Sequence, residues 1–232
     1  MDFREYAKGI KFSIIQPDEK PHMLEVRNTY IPEGNADKWL ALADLCAIPR
    51  MSTFAIACLI NKAIHDMPPG QCFVNVGVWH GFTFLAGMLG NPDKHCIGVD
   101  NFTEFGGPRD AFRQRFLDAH SPEHHFYDMD YKQYFAEFHQ GRPIGFYIYD
   151  GAHDYQNQID GLTVAEPFLA DGALVMIDDW NWPATREATK DFIKQSANCW
   201  EVVLEEFTSG NGHPDWWNGL FIMQKHGPKA TP

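Results

Sequence analysis

Three carboxylates stand where two apolar segments end in the second half of the chain. Asp150 closes the segment GFYIYD, and Asp178 and Asp179 follow ALVMI. If both segments are strands of one parallel sheet, their exits meet at the edge where such sheets bind ligands. Acids gathered there without a neighbouring Lys or Arg repel one another unless a cation lies between them. We therefore predict a divalent-metal site, most simply for Mg²⁺, at Asp150, Asp178 and Asp179; the alternative for each single acid is a helix or turn cap.

A histidine follows the first of these acids in the segment DGAHDY. His153 would lie on a turn that faces the same edge of the sheet. A neutral imidazole, with an ordinary pKa of about 6.5, suits a general base that takes the proton of a hydroxyl group acidified by a metal. His80 has the only comparable context, and we expect it to be a loop residue facing solvent. His153 is therefore the predicted base.

A glycine-containing turn precedes these acids in the segment CFVNVGVWHGFT, which ends at Thr83. Gly77 and Gly81 would let the backbone approach a ligand that a Cβ atom would exclude. The helix that follows would direct its free N–H groups at that ligand. The spacing G-x-x-x-G-x-T has Val78 where a dinucleotide motif has its second glycine, so pyrophosphate is the weaker ligand. A plain strand-to-helix turn is the alternative.

An acid also ends the next apolar segment, HCIGVD, about twenty residues after the turn. Asp100 could accept hydrogen bonds from both ribose hydroxyls of an adenosine. Strand, glycine turn, helix, strand and acid make one βαβ unit. The two features together predict a nucleoside-type cofactor at the carboxyl ends of the strands.

Strands and helices alternate from Ser52 onward, which is typical of a mostly parallel sheet with helices on both faces. Ser52 or Thr53 can cap a helix that ends before Pro68. A later helix, from about Tyr155 to Leu169, is predicted to stop at Asp171-Gly172. Two C-terminal strands, WEVVLEEF and GLFIMQK, have no helix between them and must pair antiparallel, or nearly so.

The composition narrows the class of protein. With 44% hydrophobic residues, the 232-residue chain can bury a substantial core. A formal charge of −12 without any Lys/Arg cluster argues against nucleic acid as a partner. The charged N-terminal segment lacks a signal-peptide core and no apolar run reaches membrane-spanning length, so a soluble, cytoplasmic protein with no membrane partner is expected. The cysteines lack C-x-x-C pairing and are interpreted as reduced, with Cys58, Cys72 and Cys96 in the core.

The sequence divides into three parts. Residues 1–50 are rich in Pro, Asp and Glu, contain one short predicted helix at Lys38–Cys46, and are expected to be a cap or an arm for a homo-oligomer. Residues 51–225 carry the alternating elements, and residues 226–232 are expected to be a disordered tail. Loops 101–109 and 208–217, with the N-terminal part, are the predicted acceptor pocket, and Trp216 and Trp217 suggest a surface for an aromatic or sugar ring.

The order VNVGVWHG-T, IGVD, YDGAHDY and VMIDDWNWP resembles the class I S-adenosylmethionine-dependent methyltransferases. Within that fold it is most similar to the metal-dependent O-methyltransferases of the macrocin type, over about residues 52–225. The resemblance implies a Rossmann-like three-layer α/β sandwich. Its mostly parallel seven-stranded sheet would have an antiparallel C-terminal strand.

The resemblance also implies roles for individual residues. S-adenosylmethionine would be the cofactor and a hydroxyl of a small molecule the methyl acceptor, with His153 as the base and Asp150 beside it. The metal ligands would be Asp150, Asp178 and Asp179. The residues implied in cofactor binding are Asn75, Gly77, Gly81, Thr83, Asp100, Met129, Asp130 and Asp150.

One position departs from the family pattern. Asn75 stands where the family usually has an acid that contacts the ammonium group of the cofactor. An amide can still accept a hydrogen bond there, but without the charge. Two alternatives stay open: a nicotinamide-dependent oxidoreductase, which leaves the strand-end acids unexplained, and a non-catalytic methyltransferase-like domain that binds a small molecule.

Overall fold

The computed structural model describes residues 1–13, 21–32 and 36–229. Its strands, in chain order, are β1 (Lys11–Phe12), β2 (Thr29–Tyr30), β3 (Cys72–Val76), β4 (His95–Asp100), β5 (His124–Asp128), β6 (Ile144–Tyr149), β7 (Leu169–Ile177), β8 (Asn198–Glu206) and β9 (Leu220–Pro228). Its helices are α1 (Phe3–Gly9), α2 (Pro21–Asn28), α3 (Ala36–Leu45), α4 (Phe54–Asp66), α5 (Phe82–Met88), α6 (Arg109–Ala119), α7 (Tyr131–Gln133), α8 (Tyr155–Ala165) and α9 (Pro183–Gln195).

The predicted mostly parallel sheet is confirmed. Seven strands follow the order β5-β4-β3-β6-β7-β9-β8, and β1 and β2 form a separate antiparallel pair. The strands from β5 to β7 are parallel, whereas β9 is antiparallel to both β7 and β8. The central strand β3 is buried at every position, as expected for a strand covered on both faces. The C-terminal pair is therefore antiparallel, as predicted.

Helices cover both faces of this sheet and form two hydrophobic cores. One core gathers residues of α4, α5 and α6, and the other gathers residues of α7, α8 and α9. Tyr6, Ile10, Ile31 and Leu42 belong to the first core. The described residues of the N-terminal part thus share a core with the domain that follows, and α1 and α2 are elements that the sequence did not predict.

The start of α4 shows how local sequence sets an element. Thr53 is the N-cap, and its side chain accepts a hydrogen bond from the backbone N–H of Ile56. The helix ends at Asp66, just before the proline pair that begins at Pro68. The chain then enters β3 directly.

Two predictions about elements were wrong, and one helix was missed. Helix α8 continues as a 3₁₀-helix over Glu166–Phe168, so its predicted end near Leu169 is confirmed, but β7 begins at Leu169 and Asp171 and Gly172 therefore lie inside the strand instead of stopping the helix. A positive φ of 79° at Gly172 and a register shift against β6 show that this turn signal makes an irregularity within the strand. Helix α9 was not predicted. Residues 226–228 belong to β9 instead of a disordered tail, while 230–232 lie outside the described residues.

The predicted core positions of Cys58, Cys72 and Cys96 are confirmed. Cys46, Cys58, Cys72 and Cys96 are free and buried, and Cys199 is free and exposed. Burial raises the pKa of the Cys72 thiol to about 12, which keeps it protonated. Within the described ranges, no helix is long and apolar enough to cross a membrane.

Candidate active site

A cavity of about 360 Å³ opens at the carboxyl ends of the parallel strands. This is the edge at which open α/β sheets bind ligands. The chain brings most of its predicted site residues together here, because β3, β4, β6 and β7 are consecutive strands of the sheet. The predicted residues that line the cavity are Gly77, Thr83, Asp100, Met129, Asp130, Asp150, His153, Asp178 and Asp179.

His153 lies between two of the predicted acids. Its Nε2 atom is 3.5 Å from Oδ1 of Asp150 and 3.3 Å from Oδ2 of Asp179. Burial opposes a charged imidazole, but the hydrogen bond to Asp150 and the charges of both acids outweigh it and raise the pKa of His153 above its ordinary value. The ring also packs edge-on against Trp182, with 5.6 Å between ring centroids. The acids and the indole together fix the ring at the cavity wall.

The acids destabilise one another's charge. Burial raises the pKa of Asp178 well above its ordinary value, and the charges of Asp150 and Asp179 raise it further. The pKa of Asp150 is also raised by burial, although its hydrogen bond to His153 opposes that shift. The buried Oδ1 of Asp178 and Nδ1 of His153 find no hydrogen-bond partner among the described residues. Both atoms are available to a ligand.

These side chains include donors of the type that binds a metal ion. Three carboxylates, one with an orphaned oxygen, are the ligand type that Mg²⁺ prefers. In the part of the chain that the structure describes, however, no group of three or more His, Cys, Asp or Glu side chains is arranged to hold a metal ion. The imidazole of His153 instead bridges Asp150 and Asp179. The donors fit a divalent cation by chemistry, and the predicted metal site stays a prediction.

The two glycines of the turn are required for a reason that the sequence did not suggest. Gly77 has φ +81°, and a Cβ atom there would lie 1.9 Å from the backbone oxygen of Asp150. Gly81 has φ +98°, and its Cβ atom would lie 2.8 Å from the ring of Phe112. Protein contacts therefore exclude a side chain at both positions. Gly77 still lines the cavity, whereas Gly81 is not among the lining residues described.

Asp100 holds the backbone of the turn. Its Oδ2 atom accepts hydrogen bonds from the N–H groups of Val78 and Trp79, both at 2.8 Å, and its Oδ1 atom accepts from Phe102 at 2.6 Å. A carboxylate has about four acceptor positions. Because three are used, one is left for a ribose hydroxyl in this arrangement.

Asn75 lies beneath the turn, fully buried in β3, and is not among the described lining residues. Its Nδ2 donates to the carbonyl oxygen of Gly77 at 3.0 Å. Its Oδ1 is buried and has no partner within the described residues. The amide thus supports the turn and leaves one acceptor unused.

Met129 and Asp130 border the cavity after β5, where the adenine contact is expected. One oxygen of Asp130 is already committed, because Oδ1 caps α7 by accepting from the N–H of Lys132 at 2.8 Å. Tyr131, which follows, lines the same wall. The adenine contact of Met129 and Asp130 stays a prediction.

Two residues near the cavity were missed from sequence. Arg50 lines it and forms a largely buried ion pair with Glu25 of α2 at 2.5 Å. The sequence did show that Arg50 lies just before the N-cap of α4, but nothing there indicated a contact with the cavity. Asn218 donates from Nδ2 to Oδ1 of Asp179 at 2.7 Å. Nothing in the segment WWNG distinguishes this asparagine from a turn residue.

Aromatic side chains line the cavity, and one of them belongs to the tryptophan pair that the sequence suggested. Trp79, Phe105, Trp182 and Trp217 line the cavity. Trp216 does not share that position, since it is 5% exposed and packs edge-on against Phe12 of β1 with 5.2 Å between ring centroids. Of the two neighbouring tryptophans, only Trp217 is placed to contact an acceptor.

Part of the chain matches a known family of protein domains. Residues 74–180 match the family model Methyltransf_24, described as a methyltransferase domain. The match covers β3 to the first residues after β7, which carry the cavity. No curated protein sequence matches the chain.

Solved structures show the fold at low sequence identity. The SAH-bound methyltransferase PaMTH1 of Podospora anserina superposes with a TM-score of 0.61 at 12% identity, covering 94% of this chain and 99% of that one. The O-methyltransferase TomG of Streptomyces achromogenes, in complex with SAM, gives 0.56 at 13% identity and covers 92% of each chain. An O-methyltransferase of Bacillus cereus in complex with SAH gives 0.55 at 12% identity, covering 84% of this chain and 93% of that one.

Proposed function

Taking the chain as an S-adenosylmethionine-dependent methyltransferase, which the domain match and the cofactor-bound structural relatives support, we propose that it methylates a hydroxyl oxygen. The acceptor is a small molecule with a sugar or aromatic ring. The observation that carries this proposal is the position of His153, a largely buried imidazole held by two carboxylates at the cavity wall.

His153 acts as the base. A hydroxyl must lose its proton as its oxygen attacks the methyl group, because a neutral alcohol or phenol is a weak nucleophile. The imidazolium that forms is stabilised by Asp150 and Asp179, which both face Nε2. The same contacts orient the ring before the reaction.

The cofactor occupies the side of the cavity formed by the turn after β3. Gly77 and Thr83 border its methionine part, Asp100 offers its remaining acceptor to the ribose, and Met129 and Asp130 border the adenine. His153, Trp182 and Trp217 line the rest of the cavity and would border the acceptor. In-line attack needs alignment of sulfur, methyl carbon and acceptor oxygen.

A divalent cation, Mg²⁺ in the simplest case, is the further part of the proposal. Asp150, Asp178 and Asp179 would hold it, and the orphaned Oδ1 of Asp178 supports this assignment. Such an ion supplies Lewis-acid chemistry, which lowers the pKa of an acceptor hydroxyl. His153 would then have to leave its bridging position between two of these acids.

Calorimetric titration tests the cofactor first. S-adenosylmethionine and S-adenosylhomocysteine are titrated into the protein with Mg²⁺ and with EDTA, beside NAD as the control ligand. Saturable binding of the first two is expected. Binding of NAD alone would overturn the proposal in favour of an oxidoreductase.

Methyl transfer is tested next. Tritiated S-adenosylmethionine is incubated with a panel of catechols and hydroxylated sugars, and the label in each acceptor is counted. We expect transfer to at least one class of hydroxyl. Cofactor binding without any transfer, together with unchanged divalent-ion binding after Asp178→Ala or Asp179→Ala, would favour a non-catalytic domain.

A further inference from the structure

The backbone at Asp179 is held in an unusual conformation. Its φ is +53°, a left-handed region that residues other than glycine rarely adopt. Such a conformation persists only where the surrounding contacts determine it. Asp179 is the second residue after β7, in the turn that leaves the strand, so this conformation decides where its carboxylate points.

Asn218 supplies the contact on the far side of that carboxylate. It is 3% exposed, and its Nδ2 donates to Oδ1 of Asp179 at 2.7 Å. The other oxygen, Oδ2, is the one that faces His153 Nε2. The carboxylate is thus fixed from both sides, by a donor at one oxygen and by the imidazole at the other.

The loop that carries Asn218 is anchored to the turn that carries Asp179. The N–H of Asn181 donates to the carbonyl oxygen of Asn218 at 2.9 Å. The Asn181 side chain donates to the carbonyl oxygen of Thr208 at 3.0 Å, at the start of the same loop. A Cβ atom on Gly219 would lie 2.8 Å from Oδ1 of Asn181, so the two segments are in direct contact.

We propose that Asn218 is a positioning residue for the methyl-transfer site: by holding Oδ1 of Asp179, it directs Oδ2 at His153. The inference rests on the proposed function, in which His153 is the base. Without the amide donor, the carboxylate can rotate about its Cβ–Cγ bond, and His153 loses one of its two fixed partners.

The test measures the chemical shifts of the ring nitrogens of His153 by NMR, in cofactor-free protein at one fixed pH. Asn218→Asp keeps the shape of the side chain but removes the donor. We expect it to move the His153 ring signals in the same direction as Asp179→Asn does, and by at least about half as much. In the double variant the two displacements should not add, since coupled residues act on the same contact.

Asn61→Asp is the matched control. Asn61 is also buried, at 2% exposure, and its Nδ2 donates to the carbonyl oxygens of Ala86 and Leu89. This variant should lower the melting temperature and leave the His153 signals in place, which separates lost stability from lost positioning. If Asn218→Asp does not fold, Asn218→Ala removes the donor without adding a charge and is read in the same way.

Two outcomes are distinguishable. If His153 moves in Asp179→Asn but stays in the Asn218 variants, the positioning role is overturned while the proposed function stands. If the wild-type protein binds no S-adenosylmethionine, the proposed function fails, but the NMR comparison still reports the contact.

Discussion

At the scale of single residues, the site is organised around one imidazole. His153 is largely buried, oriented by Asp150 and Asp179 and packed against Trp182. Sequence reasoning found the histidine and its acids because parallel strands end at a common edge. It did not find Asn218, because that contact depends on how a distant loop folds back, which no local pattern encodes.

The role of His153 gives the first prediction. His153→Ala should lower kcat by about two to four decades, the usual effect of losing a general base, and leave the dissociation constant of S-adenosylmethionine near the wild-type value. Turnover and calorimetry measure the two quantities. His80→Ala is the control, since His80 is held by Arg115 and is not among the described lining residues. An equal loss in the control would show that the base was assigned to the wrong histidine.

Asp178 gives a second prediction at this scale. Its buried, orphaned carboxylate is repelled by two neighbouring acids, so Asp178→Asn should raise the melting temperature in EDTA by about 2–4 °C. The same variant should lose the stabilisation that Mg²⁺ gives to the wild-type protein, because a ligand stabilises only the state it binds. Thermal unfolding with and without Mg²⁺ measures both effects.

The matched control for that prediction is Asp171→Asn, at an exposed position in β7 away from the cavity. Asp171→Asn should change neither the melting temperature in EDTA nor the melting temperature in Mg²⁺. Mg²⁺ stabilisation that survives Asp178→Asn would remove Asp178 from the proposed ligands.

At the scale of elements, the sequence predicted what strong local signals specify. Thr53 and Pro68 bounded α4, and the apolar strands ended at the expected acids. Helix α9 was missed because two of its four buried residues are threonines, Thr185 and Thr189, which weaken the apolar pattern. The start of β7 was missed because Gly172 lies within the strand at a conformation that sequence patterns assign to turns.

The first residue of β5 gives a prediction for the pH dependence of stability. His124 is 4% exposed, with Nε2 3.0 Å from the carbonyl oxygen of Asn91 and Nδ1 accepting from the N–H of Ser121 at 3.1 Å. Burial lowers the pKa of His124 below its ordinary value. The unfolded chain therefore takes up a proton at a higher pH, near its ordinary pKa of about 6.5, than the folded chain does, and stability falls as the pH falls through this range.

Urea unfolding at two pH values tests this. Between about pH 7.5 and 5.5, His124 should account for a loss of up to about 1 kcal/mol in the free energy of unfolding. His124→Gln should show a smaller loss over the same interval. His95 and His139, whose pKa values burial also lowers, act in the same direction, whereas the raised pKa values of His153 and Asp178 act in the opposite direction. An unchanged loss in the variant would contradict the assignment.

At the scale of the whole molecule, the negative net charge favours binding of S-adenosylmethionine over binding of S-adenosylhomocysteine. The chain has a formal charge of −12, and the cavity is lined by carboxylates that include Asp100, Asp150 and Asp179. Its one lining arginine, among the described residues, is already paired with Glu25. S-adenosylmethionine carries a positive sulfonium charge that its demethylated product, S-adenosylhomocysteine, lacks. The negative electrostatic potential of the cavity therefore attracts S-adenosylmethionine more strongly.

Salt should therefore affect the two ligands differently. Screening shortens the range of charge interactions from about 10 Å at 0.1 M salt to about 3 Å at 1 M. The dissociation constant of S-adenosylmethionine should rise more over this range than that of S-adenosylhomocysteine. Calorimetry at both salt concentrations measures the ratio, and a parallel change for both ligands would show that the sulfonium charge is not recognised.

The position of β9 in the sheet also decides at which stage of synthesis on the ribosome the sheet can be completed. β8 is synthesised before β9. Among the described strands, however, β8 pairs only with β9, and β9 lies between β8 and β7 in the sheet. Asn218 and its loop emerge in the same interval. Until β9 leaves the exit tunnel, a nascent chain exposes the edge of β7, and until Asn218 has emerged Asp179 lacks its amide donor, so the geometry around His153 is completed only when this segment has been made.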